Sequence, residues 1–179
     1  MKNMNKVIAA VVVLAAFGTK VNAQTNVASA NADAKIVSAI TIASASGRTL
    51  NFGSIAPGSG GTVSIQATDA GFRSKTGTDL TYTNAASSSA KFTVSGEGNS
   101  TYSIGVTNAT ITLSNGTPAD NMSATIVASA GGTNAATATG TLSSGTQDIF
   151  VGGTLTVASA QTAGVYTAAS AIEITVAYN

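Results

Sequence analysis

The sequence predicts an all-β protein, a single immunoglobulin-like antiparallel β-sandwich with an extended N-terminal strand. Apolar residues alternate with small polar residues in several short runs, and a period of two is the pattern of half-buried strands. These runs are Thr62–Ile65, Ala90–Val94, Tyr102–Val106, Ile111–Leu113 and Thr154–Val157. Turns rich in Gly, Pro and Asn separate the runs, and no comparable window has helical spacing with caps. Many short strands at this spacing are typical of a sandwich or a barrel.

Composition favours a folded β protein over a disordered chain. Ala, Thr, Ser and Gly make up 100 of the 179 residues, and charged residues make up only 8%. Disordered sequences combine low hydrophobicity with high net charge, but the formal net charge here is only +1. So small a basic excess gives no electrostatic basis for binding nucleic acid or an anionic membrane, and we expect neither partner.

The chain lacks the residue types on which most catalytic and metal sites depend. It contains no His, Cys or Trp, which excludes Ser-His-Asp and Cys-His catalysis, disulfides and Cys/His zinc sites. The acidic residues are isolated in sequence, so no acid–base pair or calcium loop is indicated. Those of the predicted domain are Asp69, Asp79, Glu97, Asp120, Asp148 and Glu173. We therefore predict a protein that is not an enzyme, with no catalytic residue, no cofactor and no metal.

The first 23 residues have the pattern of a secretory signal peptide. Lys2 and Lys6 precede an apolar run, Val7–Phe17. The residues Val21-Asn22-Ala23 then provide small side chains, or side chains that a signal-peptide cleavage site accepts. The apolar run is too short to span a membrane, so we predict cleavage between Ala23 and Gln24 and no membrane insertion of the mature chain. The predicted organisation is a signal peptide at 1–23, an N-terminal extension at 24–35 and a β-sandwich domain at 36–179.

Both ends of the predicted mature chain carry long alternating stripes. At the C-terminus the apolar positions are Ile172, Ile174, Val176 and Tyr178, which predicts a strand docked in a sheet. At the N-terminus they are Ala28, Ala30, Ala32, Ala34 and Ile36, and the stripe continues to Ile40 and Ile42. That stripe is longer than a usual strand of about 5–6 residues. We predict that Ile36–Ile42 is the first strand of the domain, and that Ala28–Ala34 is either a strand that pairs elsewhere or a flexible leader.

The aromatic residues lie mostly on strand patterns, which predicts core positions rather than a sugar-binding platform. This set comprises Phe52, Phe72, Phe92, Tyr102, Phe150 and Tyr166. Tyr82 is different because it stands between Thr81 and Thr83, just before a polar loop. We therefore single out Tyr82 as the aromatic side chain to check for exposure to solvent.

Five blocks of the sequence, taken in order, resemble an exported bacterial family, the domain of unknown function DUF4402. They are Leu50–Gly53, Ala90–Gly96, Val151–Val157, Gly164–Tyr166 and Ile174–Asn179. More distantly, the chain resembles spore coat protein U and the pilins of chaperone-usher fimbriae. The resemblance to pilins rests on the penultimate Tyr178 and on the alternating last strand. It implies that Ile172, Ile174, Val176 and Tyr178 form an acceptor strand, which a chaperone also pairs with.

The same resemblance implies that Ala28, Ala30, Ala32, Ala34 and Ile36 form a donor strand that completes a neighbouring subunit. An exposed sheet edge leaves backbone groups unpaired, and a neighbour's extended segment can pair them by β-augmentation. We therefore expect a structural subunit of a fibre or coat, with like subunits, a periplasmic chaperone and an outer-membrane usher as partners. Its expected route is through the periplasm to the cell surface, a fimbria or the medium. The alternative is a self-complete secreted sandwich that acts as an adhesin or carbohydrate-binding module.

Overall fold

The computed structural model describes residues 26–83, 86–169 and 171–179. Ile36–Asn179 forms one compact unit, and the chain up to Lys35 forms a separate unit. The predicted signal peptide and its cleavage site at Ala23 and Gln24 lie outside the described residues. Within those residues, no helix is long and apolar enough to cross a membrane.

The regular structure of the described residues is almost entirely β-strand, which confirms the predicted all-β class. One 3-10 turn, Pro118–Asp120, interrupts twelve strands, and every strand pair is antiparallel. The strands are β1 Thr41–Ser44, β2 Ile55–Ala56, β3 Gly61–Ile65, β4 Arg73–Thr76, β5 Thr81–Tyr82, β6 Ala90–Ser95, β7 Thr101–Val106, β8 Thr110–Leu113, β9 Met122–Ala130, β10 Thr139–Thr141, β11 Thr146–Val157 and β12 Ile174–Tyr178. All five alternating runs that predicted strands lie within strands.

The long strand β11 organises a seven-stranded sheet. One edge of β11 pairs with β9, which in turn pairs with β8. Along its other edge, the first half of β11 pairs with β6, and the second half pairs with β3. The strands β1 and β4 then extend the sheet beyond β6 and β3, respectively. The twelve residues of β11 therefore pair with three other strands.

Two glycines stand where β11 changes partner from β6 to β3. A Cβ at Gly152 would overlap the carbonyl oxygen of Ile65, and a Cβ at Gly153 would lie 2.6 Å from the carbonyl oxygen of Thr125. Both obstacles are backbone atoms of neighbouring strands, which cannot rotate away as a flexible side chain can. The close approach of three strands at this point therefore requires residues without side chains.

A smaller sheet, ordered β10-β7-β12, shares one hydrophobic core with the main sheet in a sandwich-like arrangement. Its largest fully buried side chain is Tyr102 of β7, which belongs to the same core cluster as Val94 and Ile149 of the main sheet. The Tyr102 hydroxyl donates a hydrogen bond of 2.8 Å to Oε1 of Gln147. The β2 and β5 strands form a separate two-stranded ribbon.

The N-terminal strand is shorter than the sequence predicts. The first strand begins at Thr41, and residues 26–40 form no helix or strand. Ile40 and Ile42 pack against the core as predicted, but Ile36 is 96% exposed. The prediction of a first strand from Ile36 is therefore wrong for its first five residues. A period-two stripe needs a neighbouring strand to become β-structure, and only Thr41–Ser44 has one, in β6.

Candidate functional site

The predicted acceptor residues lie on or just before β12, the last strand. Ile174 is buried, while Ile172, Val176 and Tyr178 are partly buried and pack against the core. The strand pairs with β7 along one edge, where the N–H of Thr107 donates to the carbonyl of Glu173 at 3.1 Å. In an antiparallel pair, alternate residues direct their backbone N–H and C=O groups to the same neighbour. Because Glu173 bonds to β7, the backbone groups of Ile174, Val176 and Tyr178 face the opposite edge of the strand. No strand among the described residues pairs with that outer edge.

The Tyr178 hydroxyl joins three parts of the domain. It accepts a hydrogen bond of 2.6 Å from the N–H of Glu97 and donates one of 2.8 Å to the carbonyl of Ser38. The Ser38 N–H in turn donates to the Glu97 carboxylate at 3.4 Å. A Cβ on Gly96 would overlap this hydroxyl, so a glycine is needed for the approach. We call this arrangement the Tyr178 clasp, and it fixes the chain at Ser38 to the last strand.

The predicted donor residues are exposed in the structure. Ala28, Ala30, Ala32 and Ala34 lie in an extended stretch without regular structure, and each is open to solvent. Val27 and Ile36, the large apolar residues that flank this stretch, are 84% and 96% exposed. Single exposed apolar side chains are common on protein surfaces, so this exposure by itself does not identify a binding partner.

An apolar groove lies at β8, away from most of the predicted acceptor residues. It consists of two adjoining cavities of about 530 Å³ each, which share six lining residues and include no charged side chain. The shared residues are Leu50, Asn51, Phe52, Leu113, Val165 and Tyr166. Of the predicted acceptor residues, only Ile172 lines the groove. Sequence reasoning missed this groove because its walls come from loops at distant positions in the chain.

One wall of the groove is the segment that connects β11 to β12, which we call the strap (158–169 and 171–173). Near its middle, Ser114 and Thr167 exchange two backbone hydrogen bonds of 3.0 Å each. A polar network on its N-terminal part centres on Asp120, whose carboxylate accepts from the Thr162 hydroxyl at 2.9 Å. The Tyr166 hydroxyl donates to the carbonyl of Thr162 at 2.7 Å and accepts from the side-chain amide of Gln161 at 3.0 Å. The bonds to Ser114 and Asp120 join the strap to the segment that follows β8.

One ion pair joins β6 and β11 of the main sheet. Lys91 Nζ lies 2.8 Å from the Asp148 carboxylate, which also accepts a hydrogen bond of 2.8 Å from the Thr93 hydroxyl. The hydrogen bond from Lys91 lowers the pKa of Asp148, with a smaller contribution from Thr93 against the opposing effect of burial. Burial raises the pKa of Tyr102. Among the described residues, no three His, Cys, Asp or Glu side chains cluster closely enough to hold a metal ion.

The structure corrects the prediction for Phe72, which is more exposed than Tyr82. Phe72, predicted to be in the core, is 67% exposed, because it lies in the connection between β3 and the edge strand β4. Tyr82 is 37% exposed, and the Arg73 guanidinium lies over its ring at 3.9 Å from the centroid. Arg73 also donates hydrogen bonds to the carbonyls of Phe52 and Thr83.

Comparison with known proteins gives a family and no named relative. A family model described as "Domain of unknown function (DUF4402)" matches residues 40–178, well over half of the chain. No curated protein and no solved structure matches the chain. The matched range begins one residue before β1 and includes every strand.

Proposed function

Because this chain belongs to the DUF4402 family of unknown function, we propose its role from its surfaces: an exported, non-enzymatic structural protein. In this proposal it is a pilin-like or coat subunit that assembles at the cell surface by β-strand exchange. The sequence pattern of residues 1–23 supports export. Like or related subunits would be its partners, and a periplasmic chaperone and an outer-membrane usher would handle it before assembly.

The observation that carries this proposal is the open outer edge of the last strand. Ile174, Val176 and Tyr178 direct their backbone groups toward an edge at which no described strand pairs. An unpaired edge is a template for another chain, and β-augmentation satisfies its hydrogen-bonding groups. Head-to-tail contacts of this kind do not close on themselves, so they generate filaments.

The Tyr178 clasp supports the proposal from the other end of the chain. It holds Ser38 in place through the hydroxyl of Tyr178 and the carboxylate of Glu97. An extension that leaves the domain from a fixed point loses less entropy on binding than one with a mobile root. The exposed stripe Ala28–Ala34 is then available to a neighbouring subunit.

Surface extracts test the proposal directly. Unboiled samples in detergent are expected to show a ladder of multimers, which collapses to monomer on boiling, and deletion of 24–34 is expected to abolish the ladder. Ala30→Asp, which places a charge on the apolar stripe, should weaken the ladder. Ser29→Asp is the matched control, because it adds the same charge to the opposite face. A single monomer band in boiled and unboiled wild-type samples would refute strand exchange.

A second function is favoured by one observation, the exposed aromatic side chains of Phe72 and Tyr82. Phe72 is 67% exposed and Tyr82 is 37% exposed, and exposed apolar surface can mark a ligand-binding site. We propose as the alternative that the chain is a self-complete adhesin or carbohydrate-binding module. Phe72→Ala and Tyr82→Ala should then reduce binding to immobilised glycans, and unchanged binding in both variants would exclude this alternative.

A further inference from the structure

One of the two cavities of the groove is lined mainly by apolar side chains from distant parts of the chain. They come from the segment 50–57, from the strands β8, β9 and β11, and from the strap. They include Leu50, Phe52, Leu113, Met122, Leu155 and Val165. The volume of about 530 Å³ lies within the range of about 300–1,000 Å³ that is typical of small-molecule sites. We call this space the strap cavity.

The polar side chains on the strap wall of this cavity already have hydrogen-bond partners. Both side-chain N–H groups of Gln161 are used, one by the carbonyl of Asp120 and one by the Tyr166 hydroxyl. The Tyr166 hydroxyl also accepts from the side-chain amide of Asn115 at 3.2 Å and donates to the carbonyl of Thr162. A hydroxyl that donates once and accepts twice has no bonding capacity left. This wall therefore offers a ligand chiefly hydrocarbon.

The opposite wall is similar, because backbone groups of the segment 50–57 are also bonded elsewhere. The N–H and the carbonyl of Asn51 pair with Ser88, and the carbonyl of Phe52 accepts from Arg73. The carbonyl of Ser54 accepts from the N–H of Thr83. No charged side chain is among the described residues that line the cavity. A ligand that needs charge or many hydrogen bonds would leave its own polar groups unsatisfied here.

The strap cavity is formed without a ligand and is open to solvent. The bond from Asn115 to Tyr166 and the paired backbone bonds between Ser114 and Thr167 fix the strap to the turn after β8. A wall that is already ordered adds little entropy cost to binding. Val165 is 82% exposed although it lines the cavity, which places this residue at the mouth.

We propose that the strap cavity binds the hydrocarbon chain of one uncharged lipid molecule, with the chain against Phe52 and Leu155 and the head group at the mouth beside Val165. An extended peptide fits less well, because its backbone N–H and C=O groups would lose water without gaining partners. The lining includes no residue of β12, so this site is separate from the outer edge of that strand. The inference therefore does not rest on strand exchange.

Fluorescence titration of the purified full chain tests the site. The probe is N-phenylnaphthylamine, an uncharged compound whose emission rises in apolar surroundings. We expect a saturable rise that decanol reverses, because decanol supplies a single hydrocarbon chain with an uncharged head group. Failure of the probe to bind saturably, or of decanol to displace it, would overturn the proposal.

A charge at the mouth locates the bound probe. Val165→Asp should weaken probe binding by at least about tenfold, because a carboxylate beside the bound chain would lose water without a partner. Val27→Asp is the matched control, since Val27 is 84% exposed, carries the same substitution and does not line the cavity. We expect wild-type affinity for this control. Equal affinities of Val165→Asp and the wild type would show that the probe binds elsewhere and would overturn the strap cavity as the site.

Circular dichroism melts establish that the variants are folded. If Val165→Asp proves unfolded, Ala163→Asp replaces it, because Ala163 is also exposed and lines the cavity. Should the wild type form multimers, isolated multimers are expected to bind the probe as the monomer does. Exclusion of the probe from multimers would indicate that a neighbouring subunit fills the cavity, and would overturn a lipid as its occupant. A chain that remains monomeric and still binds the probe would refute strand exchange and support this site.

Discussion

Removal of the Tyr178 hydroxyl should destabilise the domain more than its surface position suggests. Tyr178→Phe deletes two hydrogen bonds, to the Glu97 N–H at 2.6 Å and to the Ser38 carbonyl at 2.8 Å, and leaves the ring in place. A typical intramolecular hydrogen bond contributes about 1 kcal/mol, so we expect a loss of about 2 kcal/mol in the free energy of unfolding. For a domain of this size, that loss lowers the Tm by about 4–8 °C.

The measurement is thermal and urea unfolding of the purified protein, followed by circular dichroism. Tyr82→Phe is the matched control, since the Tyr82 hydroxyl has no hydrogen-bond partner among the described residues. If Tyr178→Phe had the same Tm as Tyr82→Phe, the reasoning would be refuted, because water would then replace both hydrogen bonds without a loss of stability.

Gly96→Ala provides an independent check on the same contact. The added Cβ would overlap the Tyr178 hydroxyl and lie 3.0 Å from Cδ1 of Leu142, so we expect this variant to lose stability in the wild-type background. In the Tyr178→Phe background the hydroxyl is already absent, and the cost should be smaller. Residues in direct contact usually show such coupling, and a double-mutant cycle measures it. Additive effects would indicate that Gly96 and Tyr178 do not interact.

Three further predictions concern the rest of the domain. Gly152→Ala should prevent folding or lower the free energy of unfolding by more than about 3 kcal/mol, because its Cβ would overlap backbone atoms of Ile65. The matched control is Gly98→Ala, where a Cβ has room, and urea unfolding should show a change of less than about 0.5 kcal/mol. The pKa of Asp148 is lowered in the folded protein, so its pairing stabilises the fold above about pH 4, and the Tm difference from Asp148→Asn should disappear as the pH falls through the lowered pKa. Burial raises the pKa of Tyr102, so above about pH 10 wild-type stability should fall with pH more steeply than that of Tyr102→Phe.

Different results would contradict these three predictions. A Gly152→Ala protein that unfolds at the wild-type urea concentration would show that β11 can shift away from β3. A Tm difference for Asp148→Asn that persists unchanged at about pH 2 would mean that the carboxylate does not act through its charge. Equal alkaline slopes for Tyr102→Phe and the wild type would mean that the Tyr102 hydroxyl ionises in the folded protein as easily as in the unfolded chain.

The strands that the sequence predicts best are those in which apolar residues, most of them large, alternate with polar or small ones. β6 and β7 follow that pattern, and the structure pairs both within sheets. The sequence did not predict β9, although its inward positions, from Met122 to Ala130, are almost all buried. Three of those inward residues are Ala, which carries little hydrophobic signal. Its burial follows from the position of β9 between β8 and β11, which only the tertiary structure reveals.

The candidate sites also differ in how far the sequence alone predicts them. The last strand could be predicted because its stripe of Ile172, Ile174, Val176 and Tyr178 is local in sequence. The groove at β8 could not, because Leu50, Leu113 and Tyr166 come together only after the chain has folded. The Tyr178 clasp was invisible for the same reason: its partners Ser38 and Glu97 are 140 and 81 residues away.

The scarcity of charged residues at two sheet edges bears on the proposed assembly. Proteins that must stay monomeric commonly protect edge strands with charged residues, prolines or bulges. Here β4 carries Arg73 and Lys75, whereas β8 and β12 contain no charged residue within their bounds. The low charge of the whole chain is therefore also found at the edges, where charge would oppose pairing with another chain. A secreted monomer would gain solubility from lysines at these positions, so their absence favours a protein whose edges are covered by neighbours.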